Sequence, residues 1–552
     1  MIIPHIMKRF GLFICAVCVF FVCCQPEDDP IPAPVPKPDP APDPVEEAGI
    51  PAHDFIMGSL LGFERNIRNG RDAHSGGSAS TTYYNLPLFD AYDFECSDAD
   101  WWDDIVEEYV YAGLDYIMPN CRGRLPKADT NPAYYTDHGD PAHIKDLIAA
   151  MERRGEERLK IAIFDDAPAS WAAARNLDLY GSYVPAMGER SEDAYPINDL
   201  EAFYKYVWDY NIKLAFDNFY GENSKNNKYL LRIDGKPLLV IWSPNGFVNV
   251  PYGGAFPNCK TCLKAVLDRL HADFRETYGE EVHICVDKAF KDRDSHVAGK
   301  VADSMNSWFN TIAGSETFSR SFTTTNGHRV GVSVPGFVAN DKSGDKMFID
   351  ANHGKTLSGN LDYFIKNRAT LVILEGFSDV LENASYWRST DTKYYDFPNQ
   401  RLNILRKYSS TDPYPKVFRV EAEACDSYKD NSTDNSGKQY RKGDLDVARC
   451  TDGYNGWCVT ATEAGEWMKW VELPYGAGKS SIVLRYRSNA ASEVRFDVDG
   501  KNGTAKRLPS TDGKWVESAV ADVTFDADGW RESVLNIVSG SPDINCFSIV
   551  RQ

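Results

Sequence analysis

At 552 residues the chain is too long for one average domain and fits a barrel with a smaller module beside it. Its 43% hydrophobic and 12% aromatic residues supply a large core. A formal net charge of −20 argues against nucleic acid and anionic membrane surfaces as partners and is compatible with a neutral polymer.

The first residues read as a processing signal. Lys8-Arg9 precede Phe10–Val22, apolar apart from its cysteines, and then come Cys23-Cys24 and Gln25-Pro26-Glu27-Asp28-Asp29. The run is shorter than the roughly 20 apolar residues of a membrane span. Residues 1–24 resemble a bacterial lipoprotein signal, which implies lipidation at Cys24 and membrane contact through that anchor only. The acidic residues that follow resemble the export tag of surface lipoproteins in some Gram-negative bacteria, which implies an outer-membrane, cell-surface location. Residues 25–48, with the Pro-rich stretch Pro30–Glu47, form a tether rather than a core. At about 3.1 Å per residue such a spacer reaches some tens of ångströms. Of 13 cysteines four lie in the signal; Cys259 and Cys262 make a lone CxxC, poor evidence for zinc. Cys425, Cys450, Cys458 and Cys546 are candidates for disulfides outside the cytoplasm.

Apolar runs then alternate with helical patterns. Phe55–Phe63 ends in Glu64, and Trp101–Gly113 has helical spacing. Leu114–Pro119 ends in Asn120 and Arg122; Pro141–Arg154 reads as a helix; Leu159–Phe164 ends in Asp165-Asp166. Leu200–Phe219 reads as a long helix, Pro237–Trp242 as a strand, Cys262–Tyr278 as a helix and Val282–Val286 as a strand ending in Asp287-Lys288. Val301–Phe309 and Arg329–Pro335 are the next strands. Gly359–Arg368 is a helix, Leu371–Leu374 the last strand, and Asn399–Tyr408 the last helix. Eight strands alternating with helices predict a (β/α)8 TIM barrel over residues 49–412. An open doubly wound sheet is the runner-up, and no Gly-rich dinucleotide fingerprint follows an early strand.

In such a barrel the site lies on the loops after the strands. Glu375, Asp379 and Glu382 leave the last strand with Tyr386 and Trp387 close behind, and are the expected catalytic carboxylates. Glycoside cleavage needs one carboxylic acid to protonate the leaving oxygen and a partner to attack or activate. Glu64, Asp165, Asp166, Trp242, Asp287 and Trp308 are the expected substrate contacts, and no catalytic cofactor is expected. Each also has an ordinary reading: Asp165-Asp166 as a turn cap, Asp287-Lys288 and Glu64-Arg65 as ion pairs, and Trp242 and Trp308 as core.

From Gly331 onward the chain resembles glycoside hydrolase family 99, the endo-α-mannosidase type. Val334-Pro335-Gly336-Phe337 matches its Pro-Gly-aromatic turn, and Glu375-Gly376-Phe377-Ser378-Asp379 stands in place of its Asn-Glu-Trp-x-Glu motif. Asp379 matches the second acid, whereas Gly376 falls where the first catalytic Glu belongs, one position after Glu375. The resemblance implies a glycoside hydrolase acting on an α-linked mannan or glucan; its members are retaining enzymes, but the departure at Gly376 leaves retaining and inverting outcomes both open here, and a sister group of uncharacterised surface lipoproteins fits the pattern as well.

From Val417 the pattern turns to short β-rich runs, predicting an all-β, jelly-roll-like sandwich over residues 416–552. This part resembles carbohydrate-binding module family 6 through Glu421-Ala422-Glu423, Ala464-Gly465-Glu466-Trp467, Leu484–Ser488, Thr511–Trp515 and Asp543-Ile544-Asn545. The resemblance implies sugar contacts at Trp457, Trp515 and Asp543, Trp515 being equally readable as core. It also implies a structural calcium at Glu423 and Asn545. The expected function is a surface glycoside hydrolase whose module holds a polysaccharide or glycan. The alternative is a non-catalytic glycan-binding lipoprotein with a degenerate barrel. Deleting Val417–Gln552 is expected to weaken polymer binding and spare cleavage of short substrates.

Overall fold

A computed structural model of the chain describes residues 50–62, 76–94, 96–123, 139–166, 204, 207–244, 262–299, 301–311, 318–452 and 456–552. The lipoprotein signal with Cys24, the tether, Glu64 and Cys259 lie outside the described residues.

The larger part is a mixed α/β domain around a nearly closed, barrel-like sheet. Parallel strands follow one another across it in the order His328–Ser333, Leu371–Leu374, Ile56–Leu61, Tyr116–Cys121, Ile163–Asp165, Lys236–Ile241, His283–Asp287 and Ser304–Asn306. The apolar runs that the sequence marks as strands lie in this order, with Lys160–Ile161 as a first segment before Ile163–Asp165. An antiparallel strand, Ser321–Thr325, flanks His328–Ser333 at the outer edge. Among the described residues no ladder joins it to Ser304–Asn306; there Thr323 Oγ1 donates to the Met305 carbonyl and leaves a seam.

Alternation sets the two faces of each strand. Leu371 and Ile373 join Tyr116, Met118, Phe164, Leu238, Val240, Val330 and Val332 inside the sheet, while Val372 and Leu374 pack outward against the helices. Helix Asp98–Tyr111 starts with a capping box between Ser97 and Asp100. Ile144–Arg154 stops at Gly155, whose φ of 68° is the left-handed cap expected of glycine. Cys262–Tyr278, Lys355–Lys366 and Gln400–Lys407 are the other long helices described. The predicted Leu200–Phe219 helix is different where it is described: Trp208–Ile212 is a π-helical turn, followed by one α-turn, Lys213–Phe216.

The C-terminal part is all-β. One sheet runs Val447–Arg449, Trp457–Val459, Asp543–Arg551, Gly478–Arg487, Val516–Phe525, with Val417–Glu421 also paired to Asp543–Arg551. The second runs Ser427–Lys429, Trp467–Tyr475, Gly529–Ser539, Ser492–Val498, Lys506–Leu508. Trp470, Phe496 and Phe547 meet edge to face between the sheets.

This module is built onto the helical layer of the larger domain, and one apolar cluster runs through both. Trp457 is fully buried against Phe89 and Tyr440, with ring centroids 4.9 and 5.3 Å away. Tyr440 donates to Asp104 Oδ1 at 3.1 Å, and Arg449 meets Asp100 through both terminal nitrogens at 2.7 and 2.6 Å. Asn399, just before the last helix, donates its backbone and side-chain nitrogens to Asp426 at 2.9 and 2.8 Å. Beneath these lies Arg388, 1% exposed, held by Glu107, by Asn399 Oδ1 at 2.8 Å and by the Tyr111 ring at 4.8 Å.

Candidate functional site

The strand Leu371–Leu374 delivers Glu375 to the C-terminal edge of the sheet, and the backbone then turns sharply. Gly376 has a φ of 76°, and a Cβ there would meet Asp379 Cβ at 2.9 Å. A glutamate at 376 does not fit this turn; the carboxylate comes instead from the strand end one residue earlier. Phe377 N donates to the Leu60 carbonyl at 2.8 Å and Gly62 N to Ser378 Oγ at 3.1 Å, which pin the loop to the first strand.

The turn gathers Glu375, Asp379 and Glu382 so that one carboxylate oxygen from each lies within 4.8 Å of the others. Glu382 N donates to Asp379 Oδ1 at 3.0 Å. Glu375 is 6% exposed, and its Oε2 is buried without a hydrogen-bond partner. Burial, then the charges of Asp379 and Glu382, push the Glu375 carboxyl well above the usual range. Glu382 is likewise raised, first by burial and then by Asp379, with Arg122 opposing.

Arg122 reaches from this cluster to a second one. Its Nε donates to Asp166 Oδ2 at 3.0 Å, and Asn120 Nδ2 lies 3.5 Å from the same oxygen. Asp165 is wholly buried, and its carboxyl is pushed up to about 8, chiefly by burial, with Asp166 adding to the rise and Asn211 opposing it. The π-helical turn aims Asn211 inward: its Nδ2 donates to Asp165 Oδ1 and to the Cys121 carbonyl, the latter at 3.1 Å. Asn211 was missed in the sequence because an extra residue in a helical turn leaves no periodic signal. Asn306 ends a parallel strand with its Oδ1 buried and unbonded; the strand-end rule that picked Asp165 also reaches it.

Trp308 packs 5.7 Å from Phe164 and 6.3 Å from Trp242 at the same edge, both indoles half-buried. Asp287 does not pair with the exposed Lys288. It accepts from Ala289 N at 2.7 Å and Trp308 N at 2.9 Å, so it fixes the chain that carries Trp308. Tyr386 and Trp387 are buried, donating to the Ser333 and Asn85 carbonyls at 3.0 and 2.9 Å. They are core rather than a sugar platform.

In the module, the expected sugar contacts separate. Trp457 is removed from solvent by the larger domain and is corrected to an interface residue. Trp515 and Asp543 do come together: Arg487 lies 4.9 Å from the Trp515 ring centroid and donates to Asp543 Oδ2 at 2.8 Å. Thr460 Oγ1 donates to Asp543 Oδ1 at 2.6 Å, and Trp515 Nε1 has no hydrogen-bond partner. Of the residues expected to hold calcium, Asn545 is engaged by a neighbouring arginine. Asn545 Oδ1 accepts from Arg419 at 3.0 Å, Arg419 also pairs with Glu421 at 2.6 Å, and Glu423 is buried with its carboxyl raised by burial and by Glu421. A guanidinium already holds the oxygen that the cation would need.

A barrel-like α/β domain with buried carboxylates at its strand ends, carrying a two-sheet β module, is the class these observations define. Residues 53–427 match the family described as "Domain of unknown function (DUF5010)", and the chain belongs to that family. Residues 441–549 match the family model "Carbohydrate binding module (family 35)", where the sequence motifs resembled family 6. No curated protein matches the chain. Among solved structures, the C-terminal family 6 module of LamC, a marine laminarinase from Zobellia galactanivorans, is 18% identical, covering 24% of this chain and 99% of that one, with a TM-score of 0.20. The module CsCBM6-3 from Clostridium stercorarium, in complex with cellobiose, is 18% identical over 24% of this chain and 94% of that one, with a TM-score of 0.20. The Podospora anserina GH26-CBM35 β-(1,4)-mannanase is 13% identical over 25% of this chain and 28% of that one, also with a TM-score of 0.20.

Proposed function

We propose that the chain is a glycoside hydrolase with a (β/α)8 barrel, tethered to the outer membrane through Cys24, its module holding a polysaccharide near the barrel mouth. The observation that carries this reading is the cluster of Glu375, Asp379 and Glu382, with an oxygen of each within 4.8 Å of the others and Glu375 and Glu382 shifted upward. A carboxylic acid that keeps its proton at neutral pH, set beside a carboxylate, is the pair that glycoside cleavage uses. Glu375, whose Oε2 carries no hydrogen bond, gives its proton to the leaving glycosidic oxygen. Asp379 stabilises or attacks the anomeric carbon, and water then completes hydrolysis as Glu375 takes the proton back. Asp165, Asp166, Trp242 and Trp308 line the same edge for the sugar, and the family 99 resemblance points to an α-linked mannan or glucan. Trp515 and Asp543 provide the stacking face and hydrogen-bonding rim of the module's site.

A second reading, a glycan-binding lipoprotein without catalysis, is favoured by one observation: the turn at Gly376 excludes the family's first glutamate. Incubation with yeast α-mannan, α-glucans and host-type glycans separates the two. Release of new reducing ends that Glu375→Gln and Asp379→Asn abolish supports hydrolysis. A polymer that binds and is never cut supports the second reading.

A further inference from the structure

The opposite, N-terminal edge of the sheet holds a second cluster that glycan chemistry does not use. His283 opens one parallel strand and His328 another, and Asp234 sits at the tip of the two-residue Asp234-Gly235 turn that joins Arg232–Ile233 to Lys236–Ile241. His328 Nε2 lies 3.1 Å from Asp234 Oδ2. The two imidazoles meet at right angles with ring centroids 4.9 Å apart. One ligand atom from each of the three residues lies within 4.8 Å of the others. Two imidazoles and one carboxylate on separate elements, all at one end of a barrel, form a ligand set suited to a divalent transition ion rather than to calcium or magnesium.

We propose that Asp234, His283 and His328 bind a divalent transition-metal ion, zinc being the probe of choice, that clips the barrel across its open seam. The placement supports a clip. His283 belongs to the strand next to Ser304–Asn306 and His328 to the strand next to Ser321–Thr325, so the two histidines stand on either side of the gap in the ladder. Ser304 Oγ, buried, lies 2.8 Å from His283 Nε2 and fixes the ring, the role that an outer partner plays behind a metal-bound histidine. Asp303 and Lys236, paired at 2.8 Å, are the charged neighbours and cancel one another, so Asp234 remains to balance part of the ion's charge. Asp234 is exposed, which leaves a coordination position open to water and a route for the ion to enter.

The test uses tag-free, metal-stripped protein and zinc or cobalt(II) alone. The expected result is one zinc per chain, retained through desalting and read by elemental mass spectrometry, with a higher thermal midpoint when loaded. Cobalt(II) should give visible d–d bands without the near-ultraviolet sulfur charge-transfer band that cysteine ligands would produce. Asp234→Asn, which suits the same turn, and His328→Gln should each weaken zinc at least about tenfold while Glu375→Gln leaves it unchanged. Absence of retained zinc, a sulfur charge-transfer band, or loss that follows Glu375→Gln and spares the other two variants would overturn the proposal.

Discussion

Burial and the charge of Asp379 push the Glu375 and Glu382 carboxyls upward, and for Glu375 the charge of Glu382 adds to the rise. Each cause disfavours the charged form, and the first two act on both groups. Replacing Glu375 by Gln keeps the shape and removes the acid, so turnover of a cleaved glycan should fall by about 10²-fold or more while polymer binding in an affinity gel stays as it was. The pH profile offers an independent check. Because the charge of Glu382 raises Glu375, Glu382→Gln should move the alkaline limb of activity to lower pH. A limb that moves upward, or does not move, would remove Glu375 from the acid's role. These three carboxylates were legible in the sequence from one rule, that polar residues at the end of a buried strand face a barrel's mouth. Trp457 was misread because an indole packed against a neighbouring domain and one that stacks on sugar look alike in sequence.

At the scale of elements, the turn after Leu374 decides where the acids lie. Gly376 is the residue that allows it, through a left-handed φ and a close approach to Asp379 Cβ. Gly376→Ala should cost about 1–3 kcal/mol in chemical denaturation, the usual range for a side chain held in such a conformation. Activity should fall with it, since the shift displaces Asp379; a fully active and equally stable variant would mean that the loop relaxes freely. Most of the parallel strands were readable because they are short apolar runs bounded by polar residues; Ser304–Asn306, inside the expected Val301–Phe309, is the exception. Two features resisted reading. The π-helical turn that delivers Asn211 has no periodic signature, and the antiparallel strand Ser321–Thr325 is polar enough, SFTTT, to pass for a loop.

For the whole molecule, the interface between the larger domain and the module sets a condition on the expected deletion of Val417–Gln552, because one apolar cluster runs through both. Residues 50–416 alone would expose Phe89 and Tyr111 and leave Asn399 without Asp426, so this fragment should aggregate; a soluble barrel with unchanged thermal midpoint would contradict the shared core. Arg388→Met should destabilise the chain by about 3–5 kcal/mol, because Glu107 would stay buried without its partner. Charged residues such as Arg388, Glu107 and Asp104 carry no sequence mark of burial, because what buries them is tertiary packing between distant segments. The interface also makes stability depend on pH. Burial raises the Asp104 carboxyl from 3.8 to about 7, Arg388 opposing and Glu107 adding to the rise. Between those two values the folded chain binds more protons at this site than the unfolded one, so its stabilising contribution is complete below the lower value and lost as pH climbs to the upper. Asp104→Asn still accepts from Tyr440 through its amide oxygen but cannot ionise. Denaturation midpoints of the two proteins should therefore converge at pH 4 and separate in favour of the variant by pH 8. Carboxyls remote from Asp104, such as Glu375, titrate in both proteins and cancel in the difference, whereas Glu108, which the Asp104 charge also raises, is relieved in the variant and adds to the separation. A difference that stays constant across the range would show that Asp104 is ionised in the folded interface at every pH.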